Sequence, residues 1–251
     1  MAIEKNAPAI ELINVSRRFL SPTGKSLTAL RDFTMTVERG EFVAVVGPTG
    51  CGKSTTLNLV TGLASPSAGE VRVMGAPVTG IDPRIGFVFQ SDALFPWRTV
   101  IENVMAGPLF RGRAKSDATA AARDWLARVG LSRFEQHYPH QLSGGMRKRV
   151  ALAQTFINGP EILLMDEPFV SLDDPTAASL RELLMELWHG HPTTVIFVTH
   201  DRSEAIQLGT RILRLAPGKA SVVQDAVVNL TDTQRRDRTA VLAEQNRIFS
   251  S

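Results

Sequence analysis

Apolar residues fall into short blocks separated by glycine-rich and polar turns. Three blocks, Phe42–Val46, Ile162–Met165 and Val195–Val198, are continuously apolar. They have the length of buried strands, well short of the roughly 20 residues a helix needs to cross a bilayer. The pattern predicts a chain that does not itself span a membrane. Ile10–Val15 and Leu27–Val37 read as β segments ending at the turn Arg39-Gly40, and Glu70–Met74 and Ile85–Phe89 as further strands. Lys53–Thr61 and Pro175–Trp188 suit helices. From about residue 91 to 141 the sequence turns Ala-rich and helix-periodic, as in Ala118–Val129. It reads as a helical subdomain inserted into an α/β core. Arg211–Leu215 and Ala220–Gln224 flank Pro217-Gly218 and predict a terminal hairpin. The stretch 231–251 is polar and Arg-rich, and predicts a surface helix or a frayed tail rather than a working part.

Composition narrows this. A length of 251 residues suits one large α/β domain or two small ones. The net charge of +3 comes from dispersed residues, so no electrostatic argument points to nucleic acid. Cys51 is the one cysteine, which rules out an intramolecular disulfide and fits a reducing compartment. Residues 1–11 have no apolar core of signal-peptide length.

The strand Phe42–Val46 runs into Gly47-Pro48-Thr49-Gly50-Cys51-Gly52-Lys53-Ser54-Thr55, which matches G-x-x-x-x-G-K-[ST]. Gly47, Gly50 and Gly52 let the backbone turn tightly and bring N–H groups towards phosphates. The helix after Gly52 points its positive dipole end at the same place. Lys53 supplies a cation for the β and γ phosphates, Ser54 a hydroxyl for Mg²⁺, and Thr55 a donor for the α phosphate. Cys51, beside Lys53 and a helix N-terminus, reads either as a thiol biased towards thiolate or as a small filler.

Ile162–Met165 ends in Asp166-Glu167. A carboxylate at a buried strand tip is where a Mg²⁺ ligand belongs beside a phosphate loop. Asp166 would bind through water. Glu167 is then placed to polarise the attacking water as general base. Thr194–Thr199 ends in His200, which reads as a γ-phosphate contact or as a structural cap.

These motifs, in this order, resemble the ATP-binding subunit of an ABC transporter. The likeness covers roughly Ile10 to Gln224. Leu142–Met146 (LSGGM) is similar to the family signature LSGGQ, and Ser143, Gly144 and Gly145 keep its phosphate-binding part. It lies about 20 residues before Asp166, as in the family. Gln90 resembles the glutamine that touches Mg²⁺ and links to the membrane partner. Ser171-Leu172-Asp173 resembles the loop at the dimer seam, where Asp173 keeps its role. Phe19 resembles the aromatic that stacks on adenine, with a core phenylalanine as the other reading. Phe95 and Trp97 within LFPWRTV read either as a permease contact or as a local cluster of the helical subdomain. LFPWRTV, with Tyr138-Pro139-His140-Gln141, is similar to the nitrate, sulfonate and taurine importer branch.

The resemblance implies a P-loop NTPase (RecA-like) α/β core over 1–90 and 159–225, with an N-terminal antiparallel β region. It implies a helical and signature subdomain over 91–158 and a tail over 226–251. It further implies ATP and Mg²⁺ as ligands, and a head-to-tail dimer of two copies of this chain. Transmembrane permease subunits would hold it at the cytoplasmic face of the inner membrane, with an external solute-binding protein as indirect partner. An exporter or lipid-transporter ATPase is the alternative. A DNA-repair or chromosome ATPase fits less well, because the interval from Gln90 to the signature is short and lacks heptads.

Overall fold

The computed structural model describes residues 7–20, 26–190, 193–216 and 221–250. In chain order the elements are β1 (Ile10–Leu20), β2 (Ser26–Val37), β3 (Phe42–Val46), α1 (Lys53–Val60), β4 (Ala68–Val73), β5 (Ala76–Pro77) and β6 (Ile85–Val88). There follow α2 (Val100–Val104), α3 (Ala106–Phe110), α4 (Lys115–Arg128), α5 (Gly144–Phe156), β7 (Ile162–Asp166), α6 (Asp174–Gly190) and β8 (Thr194–Thr199). The chain ends in α7 (Arg202–Leu208), β9 (Arg211–Leu215), β10 (Val222–Val227) and α8 (Arg238–Phe249). Two compact units form. The first draws on Met1–Pro83, Leu164–Asp166 and Thr193–Ser251, the second on Arg84–Leu163 and Glu167–Pro192.

The first unit holds an antiparallel sheet in the order β2-β1-β4-β5. β1 continues past Val15, where its apolar pattern stops, because the strand bulges there. Asn14 has φ 50°, and the register with β4 shifts between Ile13 and Ser16. An inserted residue reverses which side chains face inward, so alternation breaks without the strand ending. A second sheet runs β10-β9-β3-β8, with the last residues of β7 beyond β8. β3 pairs in parallel with both β8 and β9, and every residue of β3 and β8 is buried. That accounts for the unbroken apolar runs: a parallel strand covered on both faces has no solvent side.

β9 and β10 form the expected hairpin, although β10 starts at Val222 and extends to Val227. Pro217-Gly218 and Ala220 lie outside the described residues. The C-terminal stretch takes one of its two expected forms, with more burial than its polarity suggests. It is not frayed: α8 is the expected surface helix, but one that packs by a buried face, with Val241, Ile248 and Phe249 buried, as are Arg235 and Glu244. The apolar spacing 241, 248, 249 with Glu244 between gives one inward face, which the many arginines obscure.

In the second unit, α4 buries Ala118, Ala122, Trp125 and Leu126, and Trp125 stacks on Phe156 of α5 at 5.6 Å. α6 buries Leu180, Leu183, Leu184 and Leu187. Asn103 in α2 is fully buried. Its Oδ1 accepts the Phe95 N–H at 2.7 Å, and its Nδ2 donates to the carbonyls of Phe95, Arg98 and Thr99. One buried amide thereby fixes the loop carrying Phe95 and Trp97. Among the described residues no helix is long and apolar enough to cross a membrane.

Candidate nucleotide site

β3 feeds the phosphate loop, and the structure shows why its glycines are needed. A Cβ on Gly47 would come within 2.7 Å of Cys51 Sγ and 3.2 Å of the Leu215 carbonyl oxygen. Gly52 has φ 101°, a conformation open to few other residues, and as N-cap of α1 it offers no side-chain cap. The first turn of α1 thus presents backbone donors that no capping side chain satisfies. Lys53 is buried, its Nζ donating to the Gly47 carbonyl at 2.7 Å and the Pro48 carbonyl at 3.2 Å. The ammonium is folded back over the loop it closes. Pro48, Thr49, Gly50 and Ser54 are exposed to varying degrees or line the loop surface, and Thr55 is half-buried.

Two further strand ends meet this loop. Val46 and Thr199 are register partners on β3 and β8, so Gly47 and His200 leave the sheet side by side. Asp166 ends β7, and Ser54 Oγ donates to its Oδ1 at 3.1 Å. A hydroxyl held against a carboxylate suits a hydrated Mg²⁺: Ser54 Oγ is a ligand for the ion, and Asp166 can accept from a water of its shell. Mg²⁺ needs only one or two protein carboxylates when phosphates complete its shell. His200 is exposed. Around it, Thr199 Oγ1 accepts the Asp201 N–H at 3.0 Å and donates to Glu204 at 2.7 Å, and Asp201 caps α7.

Phe19 lies near the end of β1, on the antiparallel sheet. It is 39% exposed, with the Arg17 guanidinium 4.8 Å from the ring centroid. It is therefore not a core residue. Of the two readings of Cys51, its surroundings favour the small filler. It is 1% exposed, and burial pushes its thiol up, outweighing the attraction of Lys53. The setting that could have favoured thiolate is dry.

The second unit carries the other predicted residues. The signature opens α5, with Ser143 as N-cap accepting the Met146 N–H at 3.3 Å. A Cβ on Gly145 would lie 2.3 Å from Thr176 Cγ2, and one on Gly144 3.6 Å from Leu172. The signature thereby packs on the start of α6, where Asp173 accepts the Thr176 N–H at 3.3 Å. Those bonds to Thr176 hold the Asp173 carboxyl below its ordinary pKa. Glu167 and Ser171 have φ values of 44° and 67°, so the segment between β7 and α6 twice adopts a conformation that non-glycine residues avoid. Such outliers cluster at working sites. Gln90 is exposed just after β6.

Three residues carry weight that the sequence motifs do not flag. Asp92 pairs with Arg147 at 2.8 Å and with Lys148 at 3.3 Å. Lys148, 4% exposed, also donates to the Gln90 carbonyl at 2.5 Å, and Arg147 to the Leu142 carbonyl at 2.8 Å. The signature helix and the Gln90 loop are thus tied by charge. The one signal in the sequence is Lys148 itself, a lysine on the buried face of α5 with Gly145 and Leu152.

Trp97 and Phe110 are 71% and 73% exposed. Arg98 lies between the rings of Phe95 and Phe110, 4.9 and 5.6 Å from their centroids. Phe95 and Trp97 cluster at 5.8 Å, as the local-cluster reading of LFPWRTV expects, and Trp97 still faces solvent, as a contact surface requires.

Comparison with known proteins agrees with this geometry. The family model described as ABC transporter matches residues 30–170. The taurine import ATP-binding protein TauB of Yersinia pestis bv. Antiqua (strain Antiqua) is 41% identical over 218 residues, covering 87% of this chain and 85% of its own. The aliphatic sulfonates import ATP-binding protein SsuB of Bacillus cereus is 41% identical over 212 residues, covering 84% and 83%. Among solved structures, the dimeric post-hydrolysis state of the ATP-binding cassette MJ0796 bound to ADP and Pi superposes with a TM-score of 0.78 at 34% identity, over 88% of this chain and 100% of that one. With its phosphate loop, strand-tip carboxylate and signature helix in place, the chain belongs to the ABC transporter family and is an ATPase that binds ATP with Mg²⁺.

Proposed function

We propose that this chain powers an importer of a small anionic organic solute of the sulfonate type. It works as a pair of identical subunits docked on permease subunits at the cytoplasmic face of the membrane, with a solute-binding protein delivering the cargo. The observation that carries the ATPase part is the Ser54–Asp166 pair at 3.1 Å beside the uncapped first turn of α1. The import part rests on the taurine and sulfonate importers at 41% identity.

Residue roles follow from chemistry. The loop from Gly47 to Thr55 holds the phosphates through the backbone N–H groups of its residues other than Pro48, and Lys53 exchanges its loop carbonyls for phosphate oxygens. Ser54 and Asp166 hold Mg²⁺, with Gln90 a further ligand; the ion neutralises charge on the phosphates. Glu167 takes the proton of the attacking water, and His200 orients it. Phe19 stacks on the base. Ser143, Gly144, Gly145 and Asp173 serve the nucleotide held by the partner copy. Trp97 and Phe110, fixed outward through Asn103 and Arg98, offer a surface for the permease.

The test is uptake of radiolabelled taurine and an alkanesulfonate in cells lacking the gene, complemented with wild type or Lys53→Ala. Uptake restored by wild type and not by Lys53→Ala is expected. The purified Lys53→Ala chain should hydrolyse ATP on the order of 10²–10³-fold more slowly. Unchanged sulfonate uptake on deletion refutes the cargo class, and wild-type hydrolysis by Lys53→Ala refutes the site.

A further inference from the structure

The C-terminal stretch plays no part in the reading above, yet it is bound tightly to one helix, α7. At only seven residues, α7 is too short to be stable alone. It begins directly after His200. The Thr199–Asp201–Glu204 bonds make the His200 backbone part of the α7 N-terminus. Whatever fixes α7 therefore fixes the departure point of the His200 side chain.

Two groups from the C-terminal stretch grip α7, one at each end. Arg235 is buried, and its Nη1 donates to the carbonyls of Ile206 and Gly209, both at 2.8 Å. These belong to the last turn of α7 and the residue after it, where carbonyls lack helical partners and a cation is favoured. At the other end the Arg202 guanidinium lies 4.9 Å from the centroid of Phe249, near the end of α8. α8 is itself anchored to the hairpin. Arg247 donates to the Val227 carbonyl at 2.7 Å, Glu244 accepts the Asn229 N–H at 2.7 Å, and Gln224 donates to the Ile248 carbonyl. β9 of that hairpin pairs with β3, the strand that leads into the phosphate loop. The clamp is thus referenced to the same sheet that carries the phosphate site.

We infer that Arg235 and Phe249 are positioning residues for ATP hydrolysis, which hold α7 at both ends so that His200 stays aligned with the phosphate loop. The inference rests on the role proposed for His200. Arg235 commits a buried guanidinium to two backbone carbonyls, and it meets α7 where a small tilt is carried to His200.

The test uses the purified full chain, with MgATP hydrolysis and the ring NMR signals of His200, assigned by their loss in His200→Ala. Arg235→Met should lower kcat on the order of 10-fold with KM for ATP within about twofold, because alignment is lost and binding is not. Arg235→Lys should restore much of kcat, since an ammonium can still donate to both carbonyls. The His200 ring signals should shift in Arg235→Met and return towards wild type in Arg235→Lys. In a His200→Ala background, Arg235→Met should cost little more, because residues acting through one group are not additive. Should Arg235→Met not fold, Phe249→Ala carries the same expectations. A lowered melting temperature with unchanged kcat and unshifted His200 signals overturns the proposal. So does an equal loss of kcat in the presence and absence of His200. Wild-type hydrolysis by His200→Ala fails the underlying role of His200 instead, and is read separately.

Discussion

The phosphate loop and the signature are both glycine-rich turns opening a helix, yet they are finished differently. At the phosphate loop the N-cap is Gly52, in a left-handed conformation, with no side chain to satisfy the first turn. At the signature the N-cap is Ser143, whose hydroxyl oxygen already accepts the Met146 N–H. Lys53 lies on its own loop carbonyls, a hold that a phosphate can displace. Arg147 and Lys148 are paired to Asp92, a charged hold that ties them down. The first turn is built to receive an anion by itself. The second has one of its first-turn donors taken up by Ser143 and its cations committed to Asp92 and the Gln90 loop, in keeping with the proposal that it meets phosphate held by another chain.

The sharpest way to break this comparison is Glu167→Gln with and without Gly145→Ala. Glu167→Gln should slow hydrolysis about 10²–10⁴-fold by removing the base, and gel filtration with MgATP should show a trapped dimer. Adding Gly145→Ala, whose Cβ would meet Thr176 at 2.3 Å, should return the protein to monomer while fluorescent-ATP binding persists. A dimer that survives Gly145→Ala would mean that the signature is not half of the site.

A smaller effect should follow from Asp92→Asn. It removes the carboxylate from buried Lys148 and from Arg147, and should cost about 1–3 kcal/mol in urea unfolding. ATP binding at the phosphate loop should stay unchanged, while hydrolysis falls. Loss of nucleotide binding would contradict the separation of the two turns.

The least effect concerns Cys51. A thiol pushed up by burial carries less thiolate at any given pH, so reaction with iodoacetamide at pH 8 should be slower than for free cysteine. It should accelerate as pH rises beyond the ordinary thiol range. Labelling faster than free cysteine at pH 7 would place the thiol below its ordinary value and reopen a chemical role for it.

Much of the nucleotide site is legible in the sequence because its parts are spelled locally. Gly47–Thr55 is one contiguous motif, and Asp166 and His200 each follow an apolar run whose end is visible. The apolar pattern of β1 stops at Val15 because a bulge interrupts alternation, which leaves Phe19 without an element in the sequence. The C-terminal stretch misleads because seven residues from Thr231 to Asp237 include two arginines and two aspartates, and polarity there suggests exposure. Arg235 is buried because backbone carbonyls 26 and 29 residues earlier satisfy it, and no local pattern encodes that. Asp92 with Lys148 is the same case: two charges 56 residues apart neutralise each other only once α5 is folded.

The likeness of its motifs to a known family supplied several residue roles, and the sequence by itself determined most of the strands, the longer helices and the chemical type of the groups in the phosphate loop and at the strand tips. The latter follow from periodicity, glycine placement and donor chemistry, all of which act over a few residues. Tertiary structure alone decided which charges are buried, that Cys51 is dry and its thiol raised, and that the chain's end clamps the helix after His200. The physical reason is desolvation: whether a charge or thiol leaves water depends on what packs over it from distant parts of the chain.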